Sequence, residues 1–413
     1  MRSPLALFLA LLLLCSCATS PDPSAFGPAT ELPADVTLNK DAARSSLIIV
    51  NVRLETGEEL PFIVDTGAEG LLLDKSLGPK LGKRLRTWTV WHFGVAQETS
   101  LYAAPTLYLG NTRLLTGRYA ATADLKSMLP PDLDRPILGI LGIDCLQHYR
   151  IQLDFAANRM RFLDTNQVHP AELGQSFPLM PPGDNQRTRN FACPFIQHGG
   201  LIGDKGDYLM IDTGCNIDGF LESPLFQREV REPTRASTAI NRTAADPVGP
   251  HGKAFFPQTV WHSATYTNLV VQELPMEGAG LIGLRFLARH LVTFDFPNHT
   301  MYLKQTSVGP LAGDLFVKIM DDALRAPAEF LESLRTKGRL PGWSKGETPK
   351  LDCVYHPEGD PNTETFNFLK TGDPSIYHYT THRASAGKPW QLQKAWRSDQ
   401  TGRIVEVFPR SQP

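Results

Sequence analysis

The sequence is short of the features that mark metal-handling or nucleic-acid-binding proteins. Its six cysteines are scattered, with no Cys-x-x-Cys spacing and no histidine cluster nearby, so no metal and no cofactor is expected. Basic residues number 41 against 43 acidic ones, a formal net charge of −2, which leaves no basic footprint for nucleic acid. The zinc-hydrolase string His-Glu-x-x-His does not occur. Charged residues are only 20% of the chain and hydrophobic ones 42%, a globular balance rather than a disordered one. The apolar run Leu5–Leu14 is too short to span a bilayer as a mature helix.

That run follows Arg2 and precedes small residues, the pattern of an export signal. Its end, Leu14-Cys15-Ser16-Cys17, resembles a bacterial lipobox with Cys17 as the lipidated residue. On this reading residues 1–17 are a lipoprotein signal and residues 18–44 a flexible tether rich in Pro, Ser, Ala and Thr. The expected location is the bacterial cell envelope. The protein would be held to the membrane by an N-terminal lipid; the absence of Asp after Cys17 favours the outer membrane, facing the periplasm or the surface.

What the sequence does hold is Asp-Thr-Gly twice, at Asp65-Thr66-Gly67 and Asp212-Thr213-Gly214. Each follows an apolar run, Phe62-Ile63-Val64 or Leu209-Met210-Ile211. Downstream come Ile140-Leu141-Gly142 and Leu281-Ile282-Gly283, 77 residues after Asp65 and 71 after Asp212. Twelve residues past each glycine lies Asp154-Phe155 or Asp295-Phe296, then a polar turn and an apolar strand beginning at Met160 or Met301. Landmarks in one order at near-equal spacing are an internal repeat of one supersecondary unit.

On these paired motifs the chain resembles the bacterial retropepsin-like aspartic proteases, with two lobes fused in one polypeptide. The resemblance covers about residues 45 to 305. It implies a mainly β, bilobal pepsin/retropepsin-like fold with a pseudo-two-fold duplication, lobe 1 over 45–168 and lobe 2 over 169–309, followed by a small α+β module over 310–413. It implies an aspartic endopeptidase acting on a polypeptide substrate through water activated by Asp65 and Asp212, and a monomer, because both lobes lie in one chain. Thr66 and Thr213 would lock the two loops together, and Gly67, Ala68, Gly214 and Cys215 would support the dyad. Two adjacent carboxylates cannot both ionise, so one acid holds a proton and the other acts as base. The alternative is a surface lipoprotein that uses the same cleft to bind a peptide or ligand without cleaving it.

Further residues follow from reading along the chain. Thr87 to Ala96 alternates as a strand at the place of the family's flap, which makes Trp88 and Trp91 candidates for the substrate cleft. The second flap candidate, Ala244 to Phe256, is broken by Pro247, Gly249, Pro250 and Gly252 and reads as a loop. Asp218 reads as a solvated turn residue, and His378 and His382 as surface residues of a strand. Leu315 to Lys337 reads as one amphipathic helix or two joined at Pro327. No pairing of Cys145, Cys193, Cys215 and Cys353 follows from their positions.

Overall fold

The computed structural model describes residues 28–92, 95–129, 133, 135–164, 169–180, 193–197, 208–230, 252–274, 280–344, 346–356, 360, 362–399 and 403–408. The expected signal segment and Cys17 lie outside these residues. The protein is mainly β, with 48% of the described residues in strands. Its residues cluster into two compact units, one formed by 1–200, 205–219 and 278–313, the other by 201–204, 220–277 and 314–413.

In the first unit both Asp-Thr-Gly loops end strands built the same way. Ile49–Leu54 and Glu59–Val64 form an antiparallel pair, turned at Gly57 with φ +89°. Gly139–Leu141 then runs parallel to the second strand, Ile140 opposite Ile63 and Leu141 opposite Val64. Around the second motif Phe195–Gln197 pairs antiparallel with Tyr208–Asp212, and Gly280–Gly283 runs parallel to it, Ile282 opposite Ile211. Gly139–Leu141, Tyr208–Asp212 and Gly280–Gly283 are buried on both faces, which is why their sequences read as apolar runs rather than alternating ones.

Past each glycine the chain makes one helical turn, Ile143–Leu146 or Leu284–Leu287. An antiparallel pair follows in each case: Arg150–Asp154 with Arg159–Phe162, and His290–Asp295 with Thr300–Gln305. Their turns place Asn158 (φ 50°) and His299 (φ 48°) in the left-handed region, which Asn and His enter more readily than most residues. The two pairs join in one sheet, Arg150 opposite Asp295 and Asp154 opposite Leu291. A buried ion pair links Arg150 to Asp295 across that seam.

In the second unit the segment after residue 310 joins strands that precede it. Lys350–His356 pairs antiparallel with Lys253–Trp261, Phe255 opposite Val354, so the segment after 310 extends a sheet begun before it. Thr363–Lys370, Asp373–His382, Gln391–Ser398 and Ile404–Phe408 continue that sheet in antiparallel order. Turn residues flank the first two strands of this segment, at 350 and 363 (Pro349, Pro357, Gly359, Pro361 and Gly372), but polar residues interrupt their apolar pattern. The loop expected over Ala244 to Phe256 is corrected in its described part. Lys253–Trp261 is a regular strand in a hairpin with Ala264–Leu274, turned at His262 and Ser263 with φ 47° and 64°. Leu315–Thr336 is a single helix with Pro327 inside it. His378 is not a surface residue but is 1% exposed, stacked on Trp396 at 4.7 Å and bonded to Asn367 and Ser398.

Candidate functional site

The first unit brings the two Asp-Thr-Gly loops face to face, although 147 positions separate their residues. The Thr66 N–H donates to Thr213 Oγ1 at 3.0 Å, and the Thr213 N–H donates to Thr66 Oγ1 at 3.0 Å. Each hydroxyl then donates onward to the strand behind the opposite loop, Thr66 Oγ1 to the Ile211 carbonyl (2.7 Å) and Thr213 Oγ1 to the Val64 carbonyl (2.8 Å). Every polar atom of the two side chains is thereby used, and both threonines are buried.

The carboxylates lie against the opposite glycines. A Cβ on Gly67 would come within 2.5 Å of the Asp212 carboxyl carbon, and one on Gly214 would strike the Asp65 carboxylate in the same way. The glycines are needed because a carboxylate occupies the space of their missing side chains. Within each loop the glycine N–H returns to its own aspartate, Gly67 to Asp65 Oδ1 and Gly214 to Asp212 Oδ1, both at 2.7 Å.

The glycine strands support these loops from behind. Ile143 N–H donates to the Ala68 carbonyl (2.8 Å) and Leu284 N–H to the Cys215 carbonyl (2.7 Å). A Cβ at Gly142 or Gly283 would strike the loop backbone, that of Gly70 and Ala68 in one case and of Ile217 and Cys215 in the other. Cys215, expected beside the dyad, is fully buried there, and the bulk of its thiol is accommodated. Cys145, Cys193, Cys215 and Cys353 are buried and not joined in disulfides.

Asp65 and Asp212 are 4% and 1% exposed. Burial raises the pKa of both above the ordinary carboxylate value. The rise is larger for Asp212, whose charge is opposed by Asp65 and which donates the hydrogen bond between them. Asp65 is held lower by that bond and by the N–H groups of Gly67, Ala68 and Gly214. The two carboxyls therefore titrate as a pair, with one proton held between them.

Asp218 is corrected from a solvated turn residue to a fully buried one, bonded to Arg289 at 2.8 Å and 3.8 Å from Arg285. The sequence signal was there in Arg285 and Arg289, two arginines one helical turn apart beside Gly283. Asp144 was not singled out. Its carboxyl accepts from the Leu71 N–H at 3.0 Å, fits against Gly117, and has a pKa pushed up by burial to about 7. Trp88 lies on the hairpin of Arg86–His92 and Val95–Ala103, half-buried, with the Arg86 guanidinium 4.6 Å over its ring. Trp91 lies on the same strand, and its side chain is outside the described residues. The string Gly342-Trp343-Ser344-Lys345-Gly346 has the letters of a nucleophile elbow. Ser344, however, is an exposed residue between a helix and a strand, the reverse of the strand-to-helix turn that motif needs. Among the described residues no three His, Cys, Asp or Glu side chains gather as a metal site requires, and no helix is long and apolar enough to cross a membrane.

No family model matches the chain, and no curated protein matches it. Among solved structures it is similar to basic 7S globulin from soybean, at 13% identity and a TM-score of 0.44, over 67% of this chain and 96% of that one. It is also similar to conglutin gamma from lupine seeds, at 12% identity and a TM-score of 0.42, over 66% and 95% of the two chains. A third similar structure is that of edgp, at 13% identity and a TM-score of 0.39, over 66% and 94%. Values this low carry no weight for the function of the present protein.

Proposed function

We propose that the protein is an aspartic endopeptidase of the retropepsin-like kind, with Asp65 and Asp212 as a proton-sharing dyad. The observation behind this reading is the reciprocal threonine bonding, which holds two carboxylates from distant parts of the chain against each other. Two buried acids in contact are costly for a fold, and a dyad that activates water is the use that accounts for them. Asp65 takes a proton from a water molecule as its oxygen attacks a peptide carbonyl, and Asp212 gives its proton to the carbonyl oxygen. Breakdown of the resulting diol breaks the C–N bond: the leaving nitrogen takes up the proton held by Asp65, and one diol hydroxyl returns its proton to Asp212, which restores the dyad.

The bilobal fold with pseudo-two-fold duplication belongs to the same proposal. Its support is the matched strand, glycine and helical-turn order around the two motifs, with Asn158 and His299 at matching turns. The test is hydrolysis of a peptide library across pH by the wild type, Asp65→Asn, Asp212→Asn and the double variant. Each single variant is expected to lose about 10⁴-fold in turnover, and the double variant no more than either, because the pair acts as a unit. Substantial turnover by Asp212→Asn would refute the dyad, and tight peptide binding without turnover by the wild type would favour the non-catalytic reading.

Anchoring through a lipid on Cys17 is proposed on the lipobox string alone. Cys17→Ala is expected to move the protein out of the detergent phase or block its maturation, and Cys15→Ala to do neither. Unchanged partitioning of the Cys17 variant would remove the anchor.

A further inference from the structure

The sheet of the second unit carries a polar row where its apolar face ends. Gln272 stands directly opposite Lys253, and Lys253 directly opposite His356. The His356 ring is bonded through Nδ1 to Glu364 Oε1 on the next strand, at 2.8 Å. Two residues along, the same face carries Phe255 and Val354, both buried.

The row is unfinished as a hydrogen-bond network. Gln272 is 4% exposed, yet its Nε2 has no hydrogen-bond partner among the described residues. Lys253 is half-buried and, among the described residues, makes no hydrogen bond or ion pair. Burial holds its amine below the ordinary lysine pKa. A desolvated cation without a counter-ion and a buried N–H without an acceptor are both unfavourable, and one anionic oxygen ligand relieves both. The two residues are close enough for that, because directly opposite side chains have Cβ atoms about 5 Å apart. Lys253 supplies a single positive charge. Glu364, two strands and about 10 Å away, opposes a second negative charge on the ligand.

We infer that Lys253 and Gln272 form a binding site for a small carboxylate, whose oxygens accept from the Lys253 ammonium and from Gln272 Nε2. The site lies in the second unit and is independent of the peptidase reading. Its test is lysine modification of the full chain. Formaldehyde with a borane reductant methylates only uncharged amines, and mass spectrometry scores each lysine in chloride, acetate or phosphate at equal ionic strength. A carboxylate on Lys253 keeps the amine charged and covered.

Acetate at about 0.1 M is expected to slow Lys253 about tenfold relative to chloride, as a ligand bound at about 10 mM would, and to leave exposed Lys388 unchanged. Phosphate should protect less. In Gln272→Leu the acetate concentration for half protection should rise about fivefold, the net contribution of one hydrogen bond. Gln272→Glu sets a carboxylate beside Lys253 permanently; it should slow the lysine in chloride and abolish the acetate effect. Equal rates in acetate and chloride overturn the inference, as does stronger protection by phosphate than by acetate. Undiminished acetate protection in Gln272→Leu does the same. Should the leucine variant fail to fold, Gln272→Glu decides: an unchanged acetate effect in that variant overturns the site.

Discussion

The two loops present the same atoms to the dyad but are braced from behind by opposite chemistry. Behind Asp212 the loop runs Cys215-Asn216-Ile217-Asp218, and its carboxylate meets Arg289 and Arg285 in a buried cationic setting. Behind Asp65 the loop is two residues shorter and has no counterpart of Asp218. The position matching Arg285 is Asp144, a buried carboxyl that accepts backbone N–H bonds instead. Seven residues past each supporting glycine the contrast recurs. Tyr149 accepts the Leu115 N–H at 2.8 Å on one side, and on the other His290 bonds the Phe286 and Leu287 carbonyls. One geometry at the dyad is compatible with different supports behind it, because many buried partners can satisfy a loop backbone.

If the loops are equivalent at the dyad and different only behind it, substitutions at the dyad should act alike. Gly67→Ala and Gly214→Ala each drive a methyl group into the opposite carboxylate. Both are expected to lose about 10³-fold in turnover with a folded chain retained, a cost comparable to displacing a catalytic group by an ångström or more. A large difference between them, measured in one peptide assay, would show that the loops are unequal at the dyad itself.

Behind the dyad, substitutions should act differently. Asp218→Asn leaves Arg285 and Arg289 buried without their carboxylate and is expected to cost about 3–5 kcal/mol in denaturant unfolding. Asp144→Asn removes no partner of an arginine, and its cost should be much smaller. Equal losses would erase the contrast drawn here.

The finest test is pH. Burial raises the pKa of Asp144 to about 7 from an ordinary 3.8, so its contribution is full below pH 4 and is lost as pH rises through 7. Burial lowers the pKa of His290 to about 4 from 6.5, so its contribution is full above pH 6.5 and is lost as pH falls through 4. Between pH 4 and 6.5 the two slopes oppose each other. Relative to the wild type, Asp144→Asn should make stability rise more steeply with pH by about 1.4 kcal/mol per unit, and His290→Gln should make it fall by as much. Parallel stability–pH curves for wild type and both variants would mean that neither group is buried as described.

Much of the site was legible in the sequence because it repeats. Asp65, Thr66 and Gly67 recur as Asp212, Thr213 and Gly214, and Gly142 recurs as Gly283, so comparison within one chain could stand in for structure. The one-sided features had no copy to mark them. Asp144 and Asp218 are ordinary acids in the sequence; only the folded chain shows that one lies against Gly117 and the other against two arginines. The strands at 350 and 363 were missed because their residues mix Asp, Asn, Glu and Thr with apolar ones. Those of the strand at 363 are buried, and Asn367 is bonded to His378 and Glu364 to His356 on neighbouring strands.

By itself the sequence determined the apolar strands that deliver each motif, the glycines that must lack a side chain, and the pairing of one motif with another. These depend on residue type and short spacing, which local sterics and hydrophobic burial translate directly into structure. The tertiary structure alone decided what braces each loop and which distant strands join in one sheet. The two loops carry the same motif, so their different supports come from distant segments, Cys193 behind Gly67 and Arg289 behind Asp218 among them. The division of the chain likewise followed strand pairing: Lys350–His356 joined the hairpin at 253–274, because an open strand edge accepts any strand that completes its hydrogen bonds, however far along the chain it lies.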